Sequence, residues 1–226
     1  MPTIIENRRN LHQIPEIELT TQKTAQYIEN ILDLYDCKID HPIPNSVTAY
    51  FDNKKENTIV FRSDMDALPM EENTDLEFKS TNGCMHACGH DAHTSVGLAV
   101  AKWLTDHKDE LSGTIRLIYQ PAEEGARGAA AMAAKGIVDD VDNFIGAHIG
   151  SRAKLGELLI ATGGLFASSK IDVSFTGEAA HAGADPEKGR NALLAACDAA
   201  LLIAAIPRHS AGESRVNVGQ LSLIHI

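Results

Sequence analysis

The chain has 226 residues, of which 44% are hydrophobic and 23% are charged, a composition typical of a folded globular protein. Its 20 lysines and arginines against 31 aspartates and glutamates give a net charge of −11, which argues against a general nucleic-acid or anionic-membrane binder. The sequence contains no apolar run of about 18 residues and no visible signal peptide, so it predicts no membrane span. Four cysteines in such a chain indicate free thiols in the cytoplasm rather than a disulfide framework.

The first part of the chain predicts alternating helices and strands. Apolar residues at helical spacing predict a helix within the first 35 residues, which Pro15 separates from a shorter helix before it. The predicted elements that follow are strands at 46–51 and 58–61, a helix at 92–107, a strand at 114–119, a helix at 126–134 and a strand at 144–148. This alternation predicts an α/β fold, an α/β/α sandwich with a mostly parallel sheet.

The pattern changes near the Gly163-Gly164 pair. Residues 170–175 alternate between apolar and polar, an alanine- and leucine-rich helix follows at about 191–206, and residues 215–218 begin another strand. We therefore predict two domains. Residues 1–165 form the α/β domain, and residues 166–226 form a small α+β domain that is incomplete, because the chain stops inside or just after its second strand.

Three predicted strands of the first domain lead directly into polar clusters. One is followed by Asp64 and Asp66, the next by the pair Glu123-Glu124, and the last ends at His148. Open α/β sheets bind ligands beyond the carboxyl ends of their strands. We therefore expect these side chains and the histidine-rich loop after the first strand to form one site.

That loop, residues 85–93, packs three imidazoles, a thiol and a carboxylate into the sequence MHACGHDAH. Cysteine, histidine and carboxylate side chains bind divalent transition metals, and Gly89 allows Cys88 and His90 to converge on one ion. The alternative is a helix N-terminus at which Asp91 is the cap and the histidines are solvated. Taken by itself, the loop supports the two interpretations about equally.

The acidic residues have their own alternatives. One carboxylate of Glu123-Glu124 can hold a metal while the other acts as a general base, or the pair can begin the next helix, where the helix dipole favours acids. The strand end and the Cys/His loop favour the first interpretation.

Asp64 and Asp66 either form a turn or point to one side, where one of them orients a ligand histidine. His181, in a loop of the second domain, either reaches a substrate or is simply exposed.

These motifs resemble the M20 family of metallopeptidases, and within it the amidohydrolase branch. The resemblance rests on residues 64–68 (DMDAL), 85–93 and 120–125 (QPAEEG), and it continues through further matching segments to about Gln220. It implies a zinc-peptidase-like catalytic domain in residues 1–165 and a lid or dimerisation domain in residues 166–226. It also implies hydrolysis of the amide bond of N-acyl or N-aroyl amino acids, with p-aminobenzoyl-glutamate as the first candidate substrate.

The resemblance further implies two divalent ions, Mn²⁺ or Zn²⁺. The implied metal ligands are Cys88, His90, Glu124 and His148. Glu123 would be the general base and then the proton donor to the leaving amine. Asp66 would be a catalytic-site residue that contacts the metal ligands without binding metal itself, and His181 would bind substrate. The implied partners are a small N-acyl amino acid and, through the lid domain, an identical or related subunit.

The chain departs from the family in length. Members run to roughly twice this length and return to the catalytic domain to supply a last ligand histidine, whereas the residues after Gln220 do not match. We therefore expect a truncated chain with a non-native tail at 221–226, in which His225 is not the missing ligand. We expect such a chain to be inactive and poorly stable alone, because strand edges stay unpaired.

Two other functions compete with a complete amidohydrolase. The first is a truncated, catalytically incomplete partner subunit of such a hydrolase. The second is a structural zinc module, which is disfavoured because the paired Cys-x-x-Cys spacing of structural zinc sites is absent from the sequence.

Overall fold

The structure is a computed structural model that describes residues 2–52, 57–125, 127–150, 153–160, 169–212 and 214–222. The helices are α1 (Ile4–His12), α2 (Gln22–Leu32), α3 (His90–Asp106), α4 (Gly128–Ala133) and α5 (Ala192–Ala204). The strands are β1 (Lys38–Asp40), β2 (Val47–Phe51), β3 (Thr58–Asp64), β4 (Thr114–Gln120) and β5 (Asn143–Gly146). None of the described helices is both long and apolar enough to cross a bilayer.

The chain divides into two compact units, residues 1–164 and residues 165–226. The first unit holds all five strands, in one sheet with the order β1-β2-β4-β3-β5. β3 is parallel to both β4 and β5, whereas β1 pairs with β2, and β2 with β4, in antiparallel orientation. The α/β class is confirmed, but the sheet is mixed rather than mostly parallel. The connections after β1 and after β2 are too short for a parallel crossover, so the chain must reverse its direction.

Helices cover both faces of this sheet, as the sandwich prediction requires. On one face α2 and α3 pack against a buried cluster that includes Leu117 and Tyr119 of β4. On the other face Ile118 packs with Met132 of α4. Successive residues of a strand point to opposite faces, so β4 contributes to both layers and is buried between them.

The carboxyl ends of the three parallel strands lie side by side. In the sheet register Asp64 pairs with Gln120, and Arg62 pairs with Gly146. α3 follows β3 and begins at His90, two residues before the predicted start. The histidine-rich loop therefore does lead into a helix N-terminus, but the N-cap is Gly89 rather than Asp91, and the three histidines are buried rather than solvated. The loop is brought to the same sheet edge as the strand ends.

The described residues of the second unit form α5 and a short 3-10 turn at Pro186–Lys188, but no strand. The helix prediction at 191–206 is confirmed, and the strand predictions at 170–175 and 215–218 are wrong. Ile171 and Val173 are exposed, although their alternation is typical of a strand. A strand needs a partner, and the pairing in this described part is an isolated bridge between Glu178 and Arg190.

A buried network joins α1 to the start of α3. Nδ1 of His12 lies 2.7 Å from the carboxylate of Asp91, and Nε2 lies 3.1 Å from that of Glu72. Arg8 adds a contact of 2.9 Å to Asp91. Carboxylates only accept hydrogen bonds, so both ring nitrogens carry protons in this arrangement. The hydrogen bond to Asp91 accordingly raises the pKa of His12, although burial opposes the shift.

We predict that His12→Asn destabilises the chain most at low pH. A histidine with a raised pKa in the folded state contributes its full stability below its ordinary pKa of about 6.5 and loses it as the pH rises through the folded-state value. The measurement is the free energy of urea unfolding of wild type and variant at several pH values between about 5 and 9.

The matched control is His107→Asn, which changes a more exposed histidine at the end of α3. A stability difference between wild type and His12→Asn that stays constant or grows with pH would contradict the charged network. A difference that shrinks with pH only for His12→Asn supports it.

Candidate metal centre

His90 is the central side chain of the candidate site and is fully buried in the first turn of α3. Gly89 before it has a φ of +98°, and a Cβ there would lie 2.3 Å from Cδ1 of Ile149. The backbone conformation therefore favours glycine, and a side chain at this position would also displace the side chain of Ile149. Nδ1 of His90 donates to the carbonyl oxygen of Asp66 at 2.7 Å. The neutral ring consequently presents the lone pair of Nε2 on its other side.

Three carboxylates face this Nε2 atom. The distances from it are 3.6 Å to Asp64 Oδ2, and 3.8 Å to both Glu123 Oε2 and Glu124 Oε1. Among the described residues, none forms a hydrogen bond with Nε2, although the atom is buried. Burial alone would lower the pKa of His90, but the side-chain carboxylate of Asp66 and the charges of Asp64 and Glu124 outweigh burial and raise the pKa. The site thus has an excess of negative charge around a nitrogen donor.

Cys88 and His148 extend the same cluster. Sγ of Cys88 lies 3.4 Å from Nε2 of His148, and the ligating atoms of these two residues and His90 lie within 4.8 Å of one another. Burial, followed by the charges of Glu124 and Glu123, raises the pKa of Cys88 to about 12. A divalent cation bound there would instead lower the pKa of the thiol, because a coordinating thiol loses its proton.

Asp66 anchors the acidic pair. Its two carboxylate oxygens accept the backbone N–H groups of Glu123 at 3.0 Å and Glu124 at 3.1 Å. The residues on either side of the pair, Ala122 and Gly125, have φ values of +57° and +143°. This turn aims two successive N–H groups at one anion, as a backbone nest does. Because both oxygens of Asp66 are engaged, the residue holds the loop in place.

A second buried group lies beside His90. Asp64 lies 2.6 Å from Nδ1 of His93 and accepts a hydrogen bond from Arg62 at 2.8 Å. Burial alone would raise the pKa of Asp64, but His93, His90 and Arg62 hold the pKa below its ordinary value. The ligating atoms of Asp64, His90 and His93 are also close enough to hold an ion. A guanidinium group beside Asp64 disfavours a cation there, and Nε2 of His93 already accepts the N–H of Ile149 at 2.9 Å.

The structure therefore assembles most of the predicted site in the first unit. The residues brought together are Cys88, His90, Glu123, Glu124 and His148, with Asp66 bonded to three of them. The sequence motifs alone predicted no role for Arg62 or His93. The available signals were positional, since His93 lies one helical turn after His90, and Arg62 alternates with Asp64 along β3.

His181 belongs to the second unit and is exposed. Its Nδ1 accepts the backbone N–H groups of Gly183 and Ala184, both at 3.1 Å. The neutral ring therefore carries its proton on Nε2, from which it can donate a hydrogen bond. Its substrate-binding role stays a prediction.

The residues present fit a divalent transition metal. The buried Nε2 of His90 is a nitrogen donor without a hydrogen-bond partner among the described residues, and a thiol, a second imidazole and carboxylates adjoin it. A mixed sulfur, nitrogen and oxygen donor set is typical of transition metals, and the thiol disfavours Mg²⁺ and Ca²⁺.

Comparisons with known proteins agree with this chemistry. The family model Peptidase family M20/M25/M40 matches residues 60–215. The chain is 54% identical over 170 residues to indole-3-acetyl-aspartic acid hydrolase of Enterobacter agglomerans, covering 72% of this chain and 39% of that protein. It is 49% identical over 182 residues to one of the subunits of p-aminobenzoyl-glutamate hydrolase of Escherichia coli, covering 76% of this chain and 42% of that one. The matching segments between the main motifs and Gln220 predict similarity to this hydrolase in particular, and that prediction is confirmed.

A solved structure shows the same fold. It is a dinuclear metal-binding peptidase of the M20 family from Bacillus subtilis, with 37% identity and a TM-score of 0.62 over 64% of this chain and 42% of that one. The chain spans about two fifths of the length of the curated relatives that it matches.

We predict that the chain binds close to two equivalents of Zn²⁺ or Mn²⁺, and that Cys88→Ser and His90→Ala each weaken binding strongly. Loss of a residue that hydrogen-bonds to a metal ligand lowers metal affinity roughly 10–100-fold, and loss of a ligand itself lowers it further. The measurement is equilibrium dialysis followed by elemental analysis of the purified chain.

The control for the first variant is Cys84→Ser, which makes the same chemical change at a cysteine outside the metal-binding groups of the described residues. Equal loss in both serine variants, or full retention in Cys88→Ser, would contradict the assignment of Cys88. A single tightly held Zn²⁺ would instead favour a structural site.

Proposed function

The chain belongs to peptidase family M20/M25/M40, and from that premise we propose that it carries the metal centre and the general base of an amidohydrolase. The proposed reaction is hydrolysis of the amide bond of an N-acyl or N-aroyl amino acid. One observation carries the proposal: the buried Nε2 of His90 faces three carboxylates and shares its surroundings with Cys88 and His148.

The proposed metal ligands are Cys88, His90, Glu124 and His148. When bound by these residues, two Zn²⁺ or Mn²⁺ ions would supply a Lewis acid for the scissile carbonyl group and would lower the pKa of water. The turn at Ala122 and the anchor at Asp66 support this assignment, because they fix the backbone of Glu124 close to His90. Such preorganisation is what a metal site requires of its surroundings.

The two glutamates are distinguished by their exposure. The side chain of Glu123 is 41% exposed, whereas that of Glu124 is 23% exposed. The more accessible carboxylate suits the general base, which must meet both water and substrate. Glu123 would accept a proton from the attacking water on a carboxylate oxygen. It would then donate that proton to the amide nitrogen as the C–N bond breaks, leaving a free carboxylic acid and a free amine.

The proposed substrate class follows from the relatives. The two described above are named for hydrolysis of indole-3-acetyl-aspartic acid and p-aminobenzoyl-glutamate, in each of which an aryl-containing acyl group is joined to an acidic amino acid. We propose p-aminobenzoyl-glutamate as the first compound to test, followed by other N-acyl and N-aroyl amino acids.

The second unit, residues 165–226, is proposed as the lid and dimerisation domain. Its helix α5 leaves Leu194, Leu201 and Leu202 exposed, and an apolar helix face of this kind is typical of an interface. The partner would be an identical or related subunit, and His181 would reach substrate through this domain. A cytoplasmic location is part of the same proposal, because all four cysteines are unpaired.

We predict that Glu123→Gln abolishes hydrolysis but keeps the metal. Because the chain spans about two fifths of its relatives' length, the test uses a chimera in which this chain replaces the matching segment of the Enterobacter agglomerans hydrolase. Loss of a general base typically costs about 10²–10⁴-fold in rate. The measurements are release of aspartate from indole-3-acetyl-aspartate and the metal content of the same samples.

The control is Glu110→Gln, at a carboxylate that is 73% exposed and outside the cluster. It should leave both rate and metal content unchanged. Loss of metal together with activity in Glu123→Gln would show that the base and ligand roles are wrongly assigned. A metal-loaded chimera that is inactive with Glu123 in place would contradict the proposed function.

A further inference from the structure

His93 joins two of the loops that form the candidate metal centre. Its backbone lies in the first turns of α3, three residues after His90. Its Nε2 accepts the backbone N–H of Ile149, the residue after His148, at 2.9 Å. The segment that carries His148 is therefore tied to the helix that carries His90 by a hydrogen bond to a side chain that is not itself a proposed ligand.

One tautomer of His93 satisfies both of its contacts. The carboxylate of Asp64 can only accept, so Nδ1 of His93 must donate to it across 2.6 Å. In the neutral ring this leaves Nε2 as the acceptor that the N–H of Ile149 requires. Arg62 holds Asp64 from its other side through a bond of 2.8 Å. The orientation of the imidazole is thus fixed by groups on β3.

The side chain of Ile149 makes a further contact. Its Cδ1 lies against Gly89, so close that a Cβ at that glycine would be only 2.3 Å away. The rings of His93 and His148 are also in edge contact, with centroids 4.4 Å apart. These contacts place His148 where its Nε2 lies 3.4 Å from Sγ of Cys88.

We propose that His93, oriented by Asp64, is a positioning residue that fixes His148 beside Cys88 and so sets the geometry of the metal centre. The inference rests on the proposed function of that centre and adds a role that the ligand set does not contain. His93 does not bind the ion itself, because both of its nitrogens are engaged. The carboxylate–imidazole pair acts on a backbone N–H, one residue away from the ligand.

Two variants distinguish the hydrogen bond made by Nδ1 of His93 from the one made by Nε2. In His93→Asn the side-chain amide sits near the position of Nδ1, so it can still donate to Asp64 but does not reach Ile149. In His93→Gln the side-chain oxygen sits near the position of Nε2 and can still accept the N–H of Ile149. The inference therefore predicts that glutamine rescues what asparagine loses.

The experiment is titration of the purified chain with Co²⁺, which replaces zinc and reports its ligands by visible and near-ultraviolet absorption. We expect His93→Asn to bind Co²⁺ about 10–100-fold more weakly than wild type, as is typical when a partner of a ligand is lost. Its visible bands should shift, while the thiolate charge-transfer band from Cys88 should persist at saturation. His93→Gln should keep the wild-type spectrum and most of the affinity.

Ser46→Ala serves as the control for general loss of stability, because it removes a buried hydroxyl group that bonds the backbone of Ile43, and neither residue belongs to the metal-binding groups of the described residues. Urea unfolding of all variants accompanies the titrations. If the asparagine and glutamine variants bind Co²⁺ alike, or if weakening follows unfolding free energy across all variants, the inference is wrong.

Failure of the proposed function has a different signature. If the wild-type chain binds no Co²⁺, the proposed metal centre is contradicted, and hydrogen exchange of the Ile149 amide in the metal-free chain decides the inference. Faster exchange in His93→Asn than in His93→Gln would support the positioning contact. Equal exchange in wild type and both variants would overturn it.

Discussion

The geometry of the candidate site depends on Asp66. Its carbonyl oxygen accepts a hydrogen bond from Nδ1 of His90, and its carboxylate accepts the backbone N–H groups of Glu123 and Glu124. A single residue, two positions after the end of β3, therefore fixes the direction of the histidine on α3 and the position of the acidic loop after β4. The two bonds to the carboxylate are charge-assisted, which makes them strong for protein hydrogen bonds. Together with the bond from His90 they join three segments that are far apart in the sequence.

This anchoring concentrates charge that an apolar interior does not favour. Asp64 and Asp66 are buried, and Asp64 and the acidic pair face the same imidazole nitrogen. Burial of unpaired charge is costly, and the arrangement persists because Arg62 and the backbone N–H groups compensate part of it. The remaining negative potential around His90 and Cys88 is what makes the cluster suited to divalent cations. The stability of the fold and the affinity of the site are therefore linked through the same side chains.

The sequence predicted well which side chains the structure brings together, because the signal there is local. Cys88, Gly89 and His90 are contiguous, and the acidic pair directly follows an apolar strand. The rule that strand ends meet at one sheet edge then brings these segments together. The pairing of His93 with Asp64 could not be predicted in this way, because it depends on how one turn of α3 packs beside β3. Residue type and spacing do not encode that orientation.

The failed strand predictions show a different limit. Alternation at Ile171 and Val173 describes a side-chain pattern, whereas a strand exists only where a partner supplies the backbone ladder. The same reason explains why β1, with three residues, was missed: its pairing with β2 defines it, and its own pattern is too short to detect. The mixed sheet direction follows from connection lengths, which are visible in the sequence only once the strands are correctly placed.

The central claim is that Cys88 belongs to a metal centre built on His90. The most direct test is X-ray absorption spectroscopy of the Zn²⁺-loaded chain, compared with Cys88→Ser. We expect sulfur among the nearest neighbours of zinc in wild type, together with nitrogen and oxygen. In the variant, we expect oxygen or nitrogen to replace the sulfur. A zinc environment without sulfur in the wild-type chain, or one that Cys88→Ser leaves unchanged, would contradict the account.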